Sequence, residues 1–244
     1  ASSAKAARVL ERDTGMRSDT VAKLLYEWTR PDRPPSDGYR LPAGATVVVD
    51  EAGMLSTPAM YQLVTLAERQ RWRLALIGDP LQLQAVGRGG LFGELCTVGR
   101  VVELERLHRF THEWEAAASL RLRHGDPSVL DDYERHGRII AGSLDSHLDR
   151  MANSWLAAHH NGDTVALLAT TNEHVDTINH TVQQARLAAG QLDDRRTTSV
   201  AGGETVYVGD VVVTRRNDRR LVTSDGQPVR NRDSWTITHI HRDG

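Results

Sequence analysis

The chain has 244 residues, 25% charged and 39% hydrophobic, which is the balance of a folded protein with a core. No run of about 18 apolar residues occurs and no basic start leads into an apolar stretch, so we expect neither a membrane span nor a secretory signal. A net charge of -2 argues against a protein that coats duplex DNA but permits a local groove for one strand. The single cysteine, Cys96, excludes an intramolecular disulfide and fits the reducing cytoplasm.

Two helices and a loop are predicted for the first part of the chain. Ala1–Leu10 has helical composition, with apolar residues recurring on one face. A second helix is predicted from Asp19 or Thr20, either of which can cap its first turn. Residues 30–44 contain four prolines and two glycines, and this composition predicts a loop.

The next segment predicts a parallel sheet. Thr46–Val49, Leu74–Ile77 and Val101–Leu104 are short apolar runs of the kind that form buried strands. Between the first two, a hydroxyl residue before a proline, Ser56 or Thr57, predicts the start of a helix. Strand, helix and strand in succession, with acidic residues just past the strand ends, predict an α/β fold whose site lies at the carboxyl edge of the sheet.

The remainder of the chain is predicted to be helical first and then rich in short strands. Val165–Ala169 is predicted to be another buried strand, and Thr171 can cap the helix that follows it. From about Thr197 the pattern changes to short apolar runs separated by Gly-Asp and Asp-Gly turns. We therefore expect one domain at residues 1–163 and a second at residues 164–244.

Asp50 and Glu51 form an acidic pair directly after the first predicted strand. Hydrolysis of a nucleoside triphosphate needs one carboxylate to hold the magnesium shell and another to polarise the attacking water. Adjacent carboxylates at a strand end can supply both. Taken alone, such a pair is more typical of a polar strand end that begins a loop, so the hypothesis depends on what else reaches the same edge.

A second group of polar residues follows the next predicted strand. Gly78 and Asp79 come at its end, so Asp79 is expected in the same edge cleft as Asp50. Gln82 carries an amide that can contact a terminal phosphate or hold the water, and the nearby glycines allow the backbone to approach a ligand closely. The alternative is a Gly-Pro loop with incidental polar residues, which the length and position of the segment disfavour.

These two segments resemble motifs II and III of superfamily 1 helicases, in the RecD-like branch. The first reads Val-Asp-Glu-Ala-Gly-Met at 49–54, and the second reads Gly-Asp-x-x-Gln-Leu-x-x-Val at 78–86. The continuation Ala-Val-Gly-x-Gly-Gly at 85–90 is most similar to the helicase portion of MobF-type conjugative relaxases. The resemblance implies a RecA-like, P-loop NTPase-type parallel sheet, truncated in this chain, and the start of a second RecA-like domain with short β-strands.

The resemblance also implies roles in ATP hydrolysis. Asp50 would hold Mg²⁺ through water, Glu51 would be the general base, and Gln82 would sense the γ-phosphate. Arg109 lies in Leu-His-Arg-Phe at 107–110, in the place of motif IV, and would stabilise the transferring charge. An arginine after a strand is otherwise typical of a surface ion pair. Contact with ATP is implied for Asp50, Gly78, Asp79 and Gln82.

Contacts with single-stranded DNA are implied at both ends of the chain. Ser3 and Lys5 lie in a segment that resembles motif Ia, and Thr20 begins the Thr-Val-x-x-Leu-Leu segment that follows it in the family. Arg215 and Arg216 belong to a run that resembles the second RecA-like domain. For these two arginines a solvated turn is an equal alternative to contact with the DNA backbone.

The chain departs from the family pattern at the phosphate-binding loop. No Gly-x-x-x-x-Gly-Lys-Ser/Thr string occurs in the 244 residues. Family order would place that loop before Ala1, and motifs V and VI after Gly244. We therefore expect a fragment of an ATP-dependent, strand-translocating DNA helicase that is inactive when isolated.

Two other functions remain open at this point. The first is a helicase-like module that only holds single-stranded DNA, although such a copy has no need of the acidic pair or of Gln82. The second is an ATPase without a nucleic-acid role. ATP and Mg²⁺ are the expected cofactors. Single-stranded DNA is the expected partner, with other conjugation or plasmid-transfer proteins as further candidates.

Overall fold

The computed structural model describes residues 1–104, 108–200, 202–224 and 226–241, with Arg219 described by its backbone alone. Two compact units make up the chain, Ala1–His136 and Gly137–Gly244. The first contains the parallel sheet and the predicted ATP-site residues. The second is built from a helix pair and short antiparallel strand pairs.

The first unit alternates helices with two parallel strands. Its elements in chain order are α1 Ala4–Thr14, α2 Val21–Thr29, β1 Thr46–Val49, α3 Thr57–Gln70, β2 Arg73–Leu76, α4 Leu91–Val98, α5 Glu113–Arg123 and α6 Val129–Arg135. Single 3-10 turns lie at Asp37–Tyr39 and Ala52–Met54. The second of these turns directly follows the predicted acidic pair.

The two strands of the first unit pair in parallel, with Val47 opposite Leu74 and Val49 opposite Leu76. This pairing confirms the predicted α/β fold with a parallel sheet. The crossover between them is α3, whose inner face buries Met60 and Leu63 completely. Burial of such side chains stabilises the unit by roughly 1.5–3 kcal/mol each. The core continues through Val21, Leu25, Val49, Ala52 and Phe92.

Local sequence explains where the helices begin. Ser3, Thr20 and Ser56 are the N-caps of α1, α2 and α3, and each side-chain oxygen accepts a hydrogen bond from a backbone N–H of the first turn. Pro58 lies in the first turn of α3, where its missing N–H has no intrahelical partner to lose. The starts of α2 and α3 match the predicted positions, whereas α1 begins at Ala4 and extends past Leu10 to Thr14.

The second unit pairs α7 Leu144–His160 with α8 Asn172–Ala188, and Thr171 caps α8 as predicted. Its strands are β3 Asp193–Ser199, β4 Thr205–Val208, β5 Val211–Val213, β6 Asp218–Val222, β7 Pro228–Val229 and β8 Ser234–Thr236. They form three antiparallel pairs, β3 with β4, β5 with β8, and β6 with β7. The last of the short apolar runs, Ser234–Ile240, predicts a longer strand than the structure has, since β8 ends at Thr236.

Two predicted strands are wrong. Val101–Leu104 and Val165–Ala169 have no strand structure. Both segments are apolar, but a strand also needs a neighbour to bond its backbone, and neither segment has one among the described residues. Their side chains are correspondingly open, with Leu104 86% and Leu168 88% exposed.

The two compact units divide earlier in the chain than the predicted domain boundary at residues 163 and 164. The first unit ends at His136, because α7 packs on α8 and so groups with the strand pairs that follow. Within the described ranges, no helix is both long and apolar enough to cross a membrane.

Candidate functional site

The backbone turns after β1 and β2 lie against each other. The carbonyl of Val49, the last residue of β1, accepts a hydrogen bond from Ile77 N–H at 2.8 Å. Ala52 N–H donates to the carbonyl of Ile77 at 2.9 Å. This pair of bonds ties the segment that carries Asp50 and Glu51 to the segment that leads into Asp79. The two predicted motifs therefore meet at the carboxyl edge of the sheet, which we call the strand-end junction.

Gly78 permits the close approach of the two turns. A Cβ atom at this position would lie 3.2 Å from the backbone nitrogens of Ala52 and Gly53 and 3.2 Å from the Phe92 ring. Such distances are tighter than ordinary van der Waals contact, and backbone atoms cannot give way as a flexible side chain can. The glycine predicted as an ATP-site residue thus has a packing function in the junction.

Glu51 has an unusual backbone conformation. Its φ of 55° and ψ of 43° lie in the left-handed region, which costs a residue with a Cβ roughly 1–2 kcal/mol. The side chain is exposed, whereas Asp50 beside it is half-buried and accepts a hydrogen bond from Glu51 N–H at 3.0 Å. The two carboxylates therefore differ in setting: Asp50 is held by the local backbone, and Glu51 extends into solvent from a strained turn.

Asp79 is the most connected residue of the junction. Its Oδ1 accepts from Leu81 N–H at 3.0 Å and from Nη2 of Arg123 at 2.8 Å, and its Oδ2 accepts from Nε2 of Gln82 at 3.2 Å. Partial burial opposes ionisation, but these three hydrogen bonds together lower the pKa of Asp79 below its ordinary value. Asp79 is thus a charged anchor at neutral pH.

Gln82 is exposed and turned toward Asp79 by that bond. An ionised carboxylate only accepts hydrogen bonds, so the Gln82 side chain must present its NH₂ group to Asp79. The carbonyl oxygen Oε1 remains available to a water molecule or another donor. The structure thus places Gln82 beside Asp79 at the junction. In the chain it lies shortly after β2, the strand that pairs with β1, and the acidic pair follows β1.

The loop after Gln82 returns to the start of α3. Thr57 N–H donates to the carbonyl of Arg88 at 2.8 Å, and its hydroxyl donates to the carbonyl of Gly89 at 3.4 Å. Gly90 has a φ of 97°, which favours glycine, and begins α4. Gly89 and Gly90 therefore lie where the loop bonds to the start of α3 and turns into α4.

Sequence reasoning missed Arg123. It lies in the last turn of α5, 44 residues after Asp79, and its Nη1 is also 3.8 Å from a carboxylate oxygen of Glu103. Spacing in the chain does not reveal the contact. The only signal was a charged residue at the end of a helical stripe, which usually faces solvent.

Arg109 is not placed in the junction. Its side chain is exposed and makes no hydrogen bond or ion pair with any residue that the structure describes. Leu107, which begins the motif IV-like segment, lies outside the described residues. The side chain that reaches the junction from this part of the chain is that of Arg123.

The DNA-contact residues predicted near the start of the chain lie at two adjacent helix beginnings. Ser3 and Thr20 cap α1 and α2. Ala1 joins the two segments by two hydrogen bonds of 3.1 Å: its N-terminal amine donates to the Asp19 carbonyl, and its carbonyl accepts from Val21 N–H. Lys5 is exposed in the first turn of α1. Helix N-termini favour negative charge, so this arrangement suits a phosphate backbone.

Arg215 and Arg216 lie in the second unit, in the exposed segment between β5 and β6. Their neighbour Arg220 differs, because it pairs with Asp218 at 3.1 Å. Asn217 braces the segment, since its Oδ1 accepts from Asn231 N–H at 2.9 Å. Both predicted arginines thus face solvent on a braced turn.

The donor set fits Mg²⁺ bound with a nucleotide. Among the described residues no group of three or more His, Cys, Asp or Glu side chains could hold a metal ion by itself. Mg²⁺ typically keeps several waters and takes one or two carboxylates together with substrate phosphates. A half-buried Asp50 fixed by its own backbone, with Glu51 beside it, is compatible with that mode of binding.

The sequence of the chain is similar to those of several known proteins. Residues 1–144 match the model of the family described as "AAA domain". The conjugal transfer protein TraA of Rhizobium radiobacter is 29% identical over 226 residues, 91% of this chain and 20% of that protein. The probable TraA of Sinorhizobium fredii is 27% identical over the same lengths.

A second type of relative matches a shorter stretch. The RecBCD enzyme subunit RecD of Mycolicibacterium smegmatis is 37% identical over 123 residues, 49% of this chain and 20% of that protein. The chain thus spans about a fifth of the length of the curated relatives that it matches. The chain belongs to the AAA domain family. Its similarity to TraA conjugal transfer proteins and to a RecD subunit confirms the resemblance to RecD-like superfamily 1 helicases and conjugative relaxases.

Proposed function

We propose that this chain is part of an ATP-driven motor that moves along single-stranded DNA during conjugal transfer. One observation carries the proposal: the strand-end junction brings Asp50 and Glu51 to the same sheet edge as Asp79 and Gln82. This is the edge at which parallel α/β sheets bind their ligands. The similarity to TraA and RecD proteins supports the same class of activity.

In this function each junction residue has a distinct task. ATP with its Mg²⁺ would supply the phosphoanhydride bond and neutralise the charge that develops on it. Asp50, held by the Glu51 N–H, would accept from the water shell of the ion. Glu51, exposed and with a side chain free to reach a water, would take the proton from the attacking water. Gln82 would orient that water through its Oε1.

DNA binding is proposed separately for each unit. In the first, the adjacent N-termini of α1 and α2, with Ser3, Lys5 and Thr20, would contact phosphates. In the second, Arg215 and Arg216 would contact phosphates from their exposed turn. Contacts of this kind read no sequence, which suits a motor that moves along any strand. Arg109, as the charge-stabilising arginine, and a cytoplasmic location remain predictions from the sequence.

The test is ATP hydrolysis by the full-length gene product with and without single-stranded oligonucleotides. We expect hydrolysis that oligonucleotides stimulate, and we expect binding of a labelled oligonucleotide to weaken as salt is raised, because phosphate contacts release counterions. Hydrolysis that oligonucleotides do not alter, together with salt-independent binding, would contradict the proposal. Binding without any hydrolysis would identify the non-catalytic module instead.

The 244-residue chain by itself should behave differently. It contains no Gly-x-x-x-x-Gly-Lys-Ser/Thr string, and the backbone amides of such a loop carry most of the contacts to the phosphates. We expect negligible ATP hydrolysis from this segment alone. Hydrolysis by the isolated chain that Glu51→Gln abolishes would show that another part of the sequence binds the phosphates.

A further inference from the structure

We propose that Arg123 is a positioning residue for the reaction inferred above: through Asp79 it sets the orientation of the Gln82 amide. The inference rests on the proposed function and adds a residue that the motifs do not contain. Its basis is a continuous chain of contacts, from Nη2 of Arg123 to Oδ1 of Asp79 at 2.8 Å and from Oδ2 of Asp79 to Nε2 of Gln82 at 3.2 Å.

Arg123 is held in place by its surroundings. It extends from the last turn of α5 and its side chain is 28% exposed. Its Nε is buried and has no hydrogen-bond partner among the described residues. This part of the guanidinium has therefore lost its contact with water. An arginine is retained in such a setting only where its other nitrogens are well bonded, and here the strongest bond goes to Asp79.

Asp79 links the fixed Arg123 side chain to Gln82. One oxygen of its carboxylate is occupied by Arg123 and Leu81 N–H, which leaves the other to face Gln82. The planar carboxylate cannot turn without breaking both bonds of Oδ1. Because an ionised carboxylate only accepts hydrogen bonds, Gln82 bonds to it through its NH₂ group, and the fixed position of Oδ2 sets where that group lies and directs Oε1 away from Asp79.

Helix α5 also contains a residue that serves as a matched control for Arg123. Arg121 lies two residues earlier on the same helix, which places it about 200° around the axis. It bonds instead with Asp126 at 2.9 Å and with Asp132 and Ser128 at 2.7 Å each, toward α6. Arg121 and Arg123 share residue type, helix and terminal position, but only Arg123 contacts the junction.

The experiment measures oligonucleotide-stimulated ATP hydrolysis by the full-length gene product. Arg123→Met keeps the length of the side chain and removes its donors, and we expect kcat to fall about tenfold while KM for ATP changes less than about twofold. Arg123→Lys should recover part of the loss, because one ammonium N–H can still reach Asp79. Arg121→Met should leave kcat within about twofold of the wild type.

A double-mutant cycle separates positioning from general stability. With Gln82→Ala in the background, Arg123→Met should lower kcat less than about twofold, since the amide that it orients is gone. An equal loss of kcat in both backgrounds, or the same loss from Arg121→Met, would overturn the inference. Absence of stimulated hydrolysis in the wild type would instead reject the proposed function, so the two failures are distinguishable.

Discussion

The chain contains two Gly-Asp turns with almost the same set of contacts, one in each unit. Asp79 accepts from a backbone N–H, from a glutamine amide and from an arginine. Asp210 accepts from Tyr207 N–H at 3.0 Å and from Nε2 of Gln183 at 2.7 Å, and it forms a longer ion pair with Nη1 of Arg186 at 3.8 Å. Each arginine also has a buried Nε without a hydrogen-bond partner in the described part of the chain.

The difference between the two turns lies in what remains open. Asp210 and Arg186 have side chains only 9% and 11% exposed, and Gln183 also bonds to the carbonyl of Thr205, so the set is closed upon itself. Around Asp79 the glutamine is exposed and Glu51 lies across the junction. In the second unit these contacts therefore join α8 to the β4–β5 turn. In the first unit similar contacts leave a polar surface exposed at the strand-end junction.

The largest expected effect is on activity at the open turn. Glu51→Gln in the full-length gene product should lower kcat for ATP hydrolysis by about 10²–10⁴-fold, because the base is removed from an exposed side chain that makes no hydrogen bond to the residues that the structure describes. Steady-state hydrolysis with saturating oligonucleotide measures the effect. Gln183→Ala near the closed turn is the control and should leave kcat unchanged. A similar loss from both variants would erase the distinction between the turns.

For stability we expect the opposite order of the two turns: removal of Asp210 should lower the unfolding free energy more than removal of Asp79. Asp210→Ala removes the acceptor of Tyr207 N–H and the buried carboxylate that Gln183 and Arg186 face, and we expect unfolding of the second unit to become easier by about 2–4 kcal/mol. Asp79→Ala breaks a more exposed set, with an expected cost of about 1 kcal/mol. Amide hydrogen exchange resolves the two units separately. Equal costs would mean that exposure does not distinguish them.

The glycines of the two turns offer a finer comparison. Gly209 has a φ of 99° and a Cβ there would lie 3.1 Å from the carbonyl oxygen of Gln191, so Gly209→Ala is strained in both conformation and space. Gly78→Ala meets only the spatial limit, at 3.2 Å from two backbone nitrogens. We expect losses of about 2–3 and about 1–2 kcal/mol in unfolding free energy. Denaturant unfolding of each variant gives the values, and a larger cost at Gly78 would contradict the comparison.

The smallest expected effect is the dependence of stability on pH at Asp79. Its hydrogen bonds hold the pKa below the ordinary value of 3.8. The stabilisation that they provide is therefore complete above pH 4 and is lost as the pH falls through the lower, folded-state pKa. Comparison of the wild type with Asp79→Asn between pH 6 and about pH 2 should show the two unfolding curves converging in acid. Parallel curves would mean that Asp79 is not stabilised as a carboxylate.

Much of the local structure follows from short-range signals in the sequence. The caps Ser56 and Thr171 and the strand Thr46–Val49 were predictable, because a cap acts within one helical turn and a buried strand shows as an apolar run. Val101–Leu104 has an equally apolar run but no strand structure. Strand formation depends on a neighbour, and that information is not local.

The candidate site shows the same limit. The junction of the two strand ends followed from parallel topology, so Asp50 and Asp79 were expected on one edge. Their different surroundings were not, since the Asp79–Arg123 pair joins residues 44 positions apart through the packing of α5. The charged strand Asp193–Ser199 was also missed, because its sequence lacks the apolar alternation that indicates a strand.

The left-handed backbone at Glu51 has a consequence for variation at this position. A glycine there would have no Cβ to clash and would relax the turn, so it would compete well in any selection for folding alone. It would also delete the carboxylate. Natural or laboratory lineages that no longer need hydrolysis should therefore drift at residue 51 toward glycine or asparagine, whereas lineages under selection for hydrolysis should retain a strained acid.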